Sequence, residues 1–110
     1  GVRSVEDPAL IAELVKRGIA LEVCPGSNIA LSVYPDLASH PLTKILEAGI
    51  STSLNSDDPP FFATTAGAEY QSGAKDFGLN LEQLRNISRM AMEASFADAD
   101  TKARLLAVIG

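Results

Sequence analysis

Along the first third of the chain, apolar residues recur first at the spacing of a helix and then at that of a strand. Leu10, Ile11, Leu14 and Val15 fall on one stripe of a helix. Asp7 is placed to cap that helix, Pro8 suits its first position, Lys16 and Arg17 suit its negative end, and Gly18 is a natural left-handed stop. Ile19 to Cys24, "IALEVC", is short and β-branched enough for a strand, and Pro25-Gly26 ends it. A loop rich in Ser, Pro and Gly is expected from there to about Ser39. Pro41 opens a second helix, with Leu42, Ile45 and Leu46 on one face and Gly49 closing it.

Ile50 to Asn55 reads as a second strand, beginning 31 residues after the first. That separation, with a helix between, is the size of a βαβ unit and predicts parallel strands joined by a right-handed connection. Beyond Pro60 the pattern is helical. Thr65 to Tyr70 predicts a short helix. Asn80 is a good N-cap with Gln83 placed for a capping box, and Leu79 stands opposite Leu84 as a hydrophobic staple. Leu84, Ile87, Ala91 and Ala94 continue as a stripe to about Phe96, and Thr101 to Val108 predicts a terminal helix.

Two parallel strands cannot stand alone, because both faces and both edges need covering. The fold class is therefore α/β, and the chain reads as part of a larger sheet. Side chains alternate across a strand, so Ser51, Ser53, Asn55 and Asp57 share one face, opposite Thr52 and Leu54. On the first strand, Leu21 and Val23 lie opposite Ala20, Glu22 and Cys24. A charged Glu22 in a buried strand is costly unless paired. It belongs either on a polar inner face leading to a site or at an edge, salt-bridged to a neighbouring helix.

Composition narrows the function classes. At 110 residues there is room for one small domain, and 46% apolar with 21% charged residues excludes a disordered tail. A net charge of −5 and the lack of any basic run argue against a nucleic-acid partner. No apolar stretch approaches the roughly 20 residues that span a bilayer, so no membrane partner is expected. The single cysteine, Cys24, excludes an internal disulfide and fits a reducing, cytoplasmic compartment.

The candidate chemistry lies in "LNSDDPP", residues 54–60. Adjacent carboxylates at the C-terminal end of a parallel strand lie where ligands bind in α/β proteins. They also suit the start of a helix at Pro59, capped by Ser56 or an Asp. A cap needs only one such residue, and a metal ion would offset the repulsion within the pair. Elsewhere, Ser27 and Asn28 follow a strand end and fit either a site rim or a turn. Phe61 and Phe62 fit the wall of an apolar pocket or packing beneath the next loop. Cys24 reads as buried filler, and His40 before Pro41 reads as a helix-entry or packing residue.

These stretches together resemble the adenosine/adenine/AMP deaminase family of metal-dependent purine aminohydrolases. The resemblance rests on "LEVCPGSN" at 21–28, "HP" at 40–41 followed by "LEAG" at 46–49, "LNSDDP" at 54–59, and "EY" at 69–70, in matching order and spacing. The opening "GVRSVEDP" resembles the stretch directly after the "GH" of that family's "GHG" motif. The resemblance implies that residues 1–110 are a partial domain, the C-terminal segment of a (β/α)8 TIM-type barrel, with about its last two strands and its C-terminal helices. It implies Asp57 as the carboxylate ligand of a catalytic Zn2+, partnering the metal's water, and Asp58 as the residue binding the substrate at purine N7. The activity it implies is hydrolytic deamination of a 6-aminopurine: adenosine to inosine with release of ammonia. Adenine or another aminopurine is the alternative substrate, and an inert truncated half-barrel the alternative state.

The family's histidine ligands and its general-acid Glu find no match here. His40 is the only histidine and matches the "HP", and neither Glu22 nor Glu69 matches the catalytic Glu. One carboxylate cannot hold zinc usefully. The chain by itself is therefore expected to be inactive, with the missing N-terminal part of the barrel as its partner and with exposed strand edges prone to pairing.

Overall fold

A computed structural model describes all 110 residues. Local chemistry sets the first helix. Asp7 Oδ1 accepts the amides of Ala9 (3.0 Å) and Leu10 (3.2 Å), and Pro8 fills the first position of α1 (Pro8–Arg17). Gly18, at φ 63°, returns its N–H to Leu14 and Val15 and ends the helix. A 3-10 turn over Val2–Glu6 precedes α1. The sequence pattern gives no sign of it, since its buried residues are one Val and one Ser.

The two strands, β1 (Leu21–Val23) and β2 (Thr52–Leu54), pair in parallel with Leu21 opposite Thr52, Glu22 opposite Ser53 and Val23 opposite Leu54. Both are shorter than the apolar runs that predict them. The amides of Ile19 and Ile50 are taken by the carbonyls of Leu14 and Ile45, so each run starts inside the closing turn of the preceding helix. The crossover between the strands contains α2 (Pro25–Ala30) and α3 (Leu42–Glu47). A loop is expected at 25–39, so α2 is a correction, and Pro41 stands just before α3 rather than inside it.

Helices cover one face of the strand pair. Leu21, Val23, Thr52 and Leu54 are buried there with Leu14, Leu42, Ile45, Ile50, Leu79 and Ile87. Leu42 and Ile45 are fully enclosed, and truncating either to Ala is expected to cost about 2–5 kcal/mol. On the opposite face Glu22 is exposed and Ser51, Ser53 and Asn55 are half-buried. Glu22 thus lies away from the helices and forms no ion pair. A groove of about 500 Å³ runs along this polar face and reaches Met90, Ala94 and Phe96.

After β2 come α4 (Pro59–Phe62), α5 (Ala66–Lys75), α6 (Leu81–Ala94) and α7 (Ala99–Ile109). Thr65 caps α5, which runs five residues beyond its expected end at Tyr70. Asn80 and Gln83 form the reciprocal capping box of α6 (2.9 and 2.8 Å), and Ile87 is that helix's buried contact with the core. Tyr70 and Ser88 hydroxyls join α5 to α6 at 3.0 Å. Phe96 lies beyond the end of α6 and is fully exposed, so the apolar stripe stops short of it. Phe61 is 81% exposed, against the expectation that it packs beneath the next loop; α4 is a single turn and covers nothing with that face. No helix is long and apolar enough to cross a membrane.

Candidate functional site at the strand ends

Both strands run directly into a proline-started helix, and the two turns meet at the C-terminal edge of the sheet. At the first, Pro25 opens α2 and Cys24 holds the capping position without using its side chain. The capping acceptor comes instead from α5: the Gly26 amide donates to Glu69 Oε2 at 3.3 Å. Glu69 is only 3% exposed and also accepts from the Thr64 hydroxyl at 3.0 Å.

Ser27, 1% exposed, donates its hydroxyl to Asp57 Oδ2 at 2.8 Å, joining the two turns across 30 residues of sequence. Asn28 Oδ1 accepts from His40 Nε2 at 2.9 Å, and His40 Nδ1 accepts the Leu42 amide at 3.2 Å. This pattern requires a neutral ring with its proton on Nε2. The ring lies between Tyr34 and Phe77, with centroids 5.3 and 5.6 Å away, and burial pushes its pKa down to about 4. His40 is therefore a packing residue, as the sequence suggests. Ser27 and Asn28 serve as braces within a helix rather than as a simple turn.

At the second turn, the Asn55 amide donates to Val23 O at 2.9 Å and its side chain donates to Ser53 Oγ at 2.9 Å, closing the sheet. Asp57 then takes φ 58°, in the left-handed region that a non-glycine residue enters at a cost. Asp58 occupies the capping position of α4, yet its side chain caps nothing; the amides of Phe61 and Phe62 bond to its main-chain oxygen. Neither carboxylate is used as a cap. Asp57 Oδ1 and both oxygens of Asp58 accept no hydrogen bond from this chain, and both residues are exposed.

An open depression of about 510 Å³ lies here, lined by Glu22, Cys24, Leu54, Asn55, Ser56, Asp57 and Ala66. The Cys24 thiol is half-buried; burial raises its pKa, and the charge of Asp57 adds to the rise. With no base beside it, the thiol has nothing to activate it as a nucleophile. No three His, Cys, Asp or Glu side chains converge on one point in this chain. The donors present fit a metal only as a contribution to a shared site, through the free oxygen of Asp57. Glu22 and Asp57 border the same hollow, but Asp58, Phe61 and Phe62 are not part of its wall.

Carboxylates offered at the C-terminal ends of parallel strands, above a polar hollow, define the ligand-binding edge of an α/β protein. The chain belongs to the adenosine deaminase family, whose model matches residues 1–110. It is similar to the adenine deaminase of Agrobacterium fabrum, strain C58, with 54% identity over 110 residues, covering 100% of this chain and 34% of that protein. It also resembles the crystal structure of adenine deaminase from Arthrobacter aurescens, with a TM-score of 0.96 at 31% identity over 99% of this chain and 33% of that one. An amidohydrolase from Burkholderia ambifaria with bound Zn matches at a TM-score of 0.85 and 26% identity, over 98% of this chain and 30% of that one. The chain thus spans about a third of the length of the relatives it matches.

Proposed function

We propose that these 110 residues form the closing segment of a (β/α)8 barrel, with β1 and β2 as its last two strands, in a zinc-dependent purine aminohydrolase that acts on adenine. The observation that carries this reading is the pair Asp57 and Asp58, held at the strand ends with their free oxygens unspent. The similarity to adenine deaminases along the whole chain supports the free base over adenosine, the substrate first expected from the sequence. The polar strand face with Glu22, Ser51, Ser53 and Asn55 would point into the barrel. The missing donors and the general acid would come from residues outside this segment.

When bound, zinc supplies Lewis-acid activation of a water near neutral pH. Asp57 would offer Oδ1 to the metal site, while the Ser27 hydroxyl holds Oδ2 and fixes the plane of the carboxylate. Asp58 would hydrogen-bond the purine at N7, orienting C6 for attack.

Purified protein containing this segment and the remainder of the barrel tests the reading directly. Adenine should yield hypoxanthine and ammonia with about one zinc per chain, and adenosine should turn over far more slowly. Equal or better turnover of adenosine would overturn the base assignment. A zinc-free preparation with full activity would overturn the metal assignment.

A further inference from the structure

We infer that Glu69 is a positioning residue of the Asp57 site, acting through the Gly26–Ser27 turn. The inference rests on the reading of Asp57 as a metal ligand and goes beyond it by assigning a role to Glu69, a buried residue of α5 that does not line the hollow.

Glu69 is a nearly fully buried carboxylate with no cation within ion-pair reach. Burying a carboxylate is expensive unless its oxygens are hydrogen-bonded, and each oxygen of Glu69 has one partner. Both bonds go to places that fix the strand-end turns. One receives the Gly26 amide at 3.3 Å, across 43 residues of sequence. The other receives the Thr64 hydroxyl at 3.0 Å, in the segment joining α4 to α5. Gly26 is followed immediately by Ser27, whose hydroxyl holds Asp57 at 2.8 Å.

The contact is close. A Cβ at residue 26 would meet Glu69 Oε1, so any larger residue there would push the carboxylate off the Gly26 amide. Asp57 itself sits at φ 58°, a conformation that persists only where its surroundings impose it. The chain of contacts from Glu69 to Gly26, Ser27 and Asp57 supplies that imposition, and it explains why the cap of a six-residue helix is borrowed from a residue so far away.

Zinc affinity measured by chelator competition on the full deaminase chain tests this, with thermal unfolding of the zinc-free protein alongside. Glu69→Ala and Ser27→Ala should each weaken zinc binding on the order of tenfold or more, as loss of support behind a ligand does. The double variant should be little worse than either single one, because the two residues act in series. Glu69→Gln keeps an acceptor for Gly26 and a group that can donate to Thr64, so it should restore affinity to within about threefold of the parent. Gly26→Ala should reproduce the Glu69→Ala loss if the latter variant fails to fold. Unchanged zinc affinity in Glu69→Ala or Gly26→Ala, with only a lower melting temperature, would overturn the inference and leave Glu69 a helix cap. Fully additive losses in the double variant would also overturn it. Asp57→Ala separates the two levels: if zinc binding survives that change, the ligand reading itself is wrong, whatever Glu69 does.

Discussion

The two strand exits share a plan and differ in what they do with their polar groups. After β1, residues 24–28 run into Pro25 and α2, and the Gly26 amide, the Ser27 hydroxyl and Asn28 Oδ1 each have a partner supplied from elsewhere in the chain. After β2, residues 55–59 run into Pro59 and α4, and the two carboxylates stay open to solvent. The first exit resists motion, with Ser27 buried and His40 wedged behind Asn28. The second carries a strained residue and unspent oxygens. A buttress beside an open edge is what a binding constellation needs, because a ligand must be held in place before it meets its metal.

The largest test of this contrast strikes Asp57. In the full barrel, Asp57→Gly relieves the positive φ but strands the buried Ser27 hydroxyl, so stability should stay level or fall by about 1–2 kcal/mol, while bound zinc should fall to near zero and turnover drop by more than about 10³-fold. Metal analysis and a denaturant titration of the same preparation read both effects. Function abolished at so small a cost in stability would mark Asp57 as serving the site more than the fold. A destabilised variant that keeps its zinc would reverse the roles assigned to the two exits.

Asp58 should behave differently from its neighbour. Its side chain neither caps α4 nor hydrogen-bonds to the first exit, so Asp58→Ala should change stability by less than about 0.5 kcal/mol and leave zinc in place. Turnover of adenine should fall by about 10²-fold, the usual scale for removing one orienting hydrogen bond. Loss of zinc equal to that in Asp57→Gly would show that the carboxylates share one task.

How much of the molecule is legible in its sequence depends on the range of each interaction. The Asp7 and Asn80 caps, the Gly18 stop and the parallel pairing at a 31-residue offset are all readable, because each is set by near neighbours or by a regular repeat. The alternation that places Glu22 away from the helices is readable for the same reason. The sequence Pro-Gly-Ser-Asn reads as a turn, yet it forms α2, because the acceptor that steadies it lies 43 residues away on Glu69. The Ser27 bond to Asp57 is hidden likewise. Local pattern offers both a capping and a binding role for the Asp pair, and only the geometry shows that no cap is made. Of the site, then, the exposed carboxylates are visible in the chain and their support is not.

The buttress has its own pH signature. His40 is neutral when folded, with a pKa of about 4 against 6.5 for the unfolded ring. Above pH 6.5 both states are neutral and its contribution to stability is complete. As pH falls from 6.5 towards 4, the unfolded ring takes up a proton that the folded ring refuses, so stability declines. The decline is on the order of 3 kcal/mol and ends once the folded ring titrates. Denaturant midpoints between pH 7 and 4 should fall in the parent and stay flatter in His40→Asn. The lowered carboxyl pKa values of Asp36 and Asp98 start from 3.8 and so act below this window. An identical slope in parent and variant would place the ring in a wetter setting than its bonds to Asn28 and Leu42 imply.

The smallest expected effect belongs to Phe61, on the open side of the comparison. With 81% of its surface exposed, the side chain has little burial to lose, so Phe61→Ser should shift stability by less than about 0.5 kcal/mol. If the ring meets only solvent in the full barrel as well, the KM for adenine should also stay within about twofold. If the rest of the barrel brings a purine against it, KM should rise about tenfold, on the scale of one aromatic contact, while kcat and zinc content hold. That second outcome would extend the open edge beyond the carboxylate pair to the first turn of α4. The first would confine the working surface to Asp57 and Asp58 themselves.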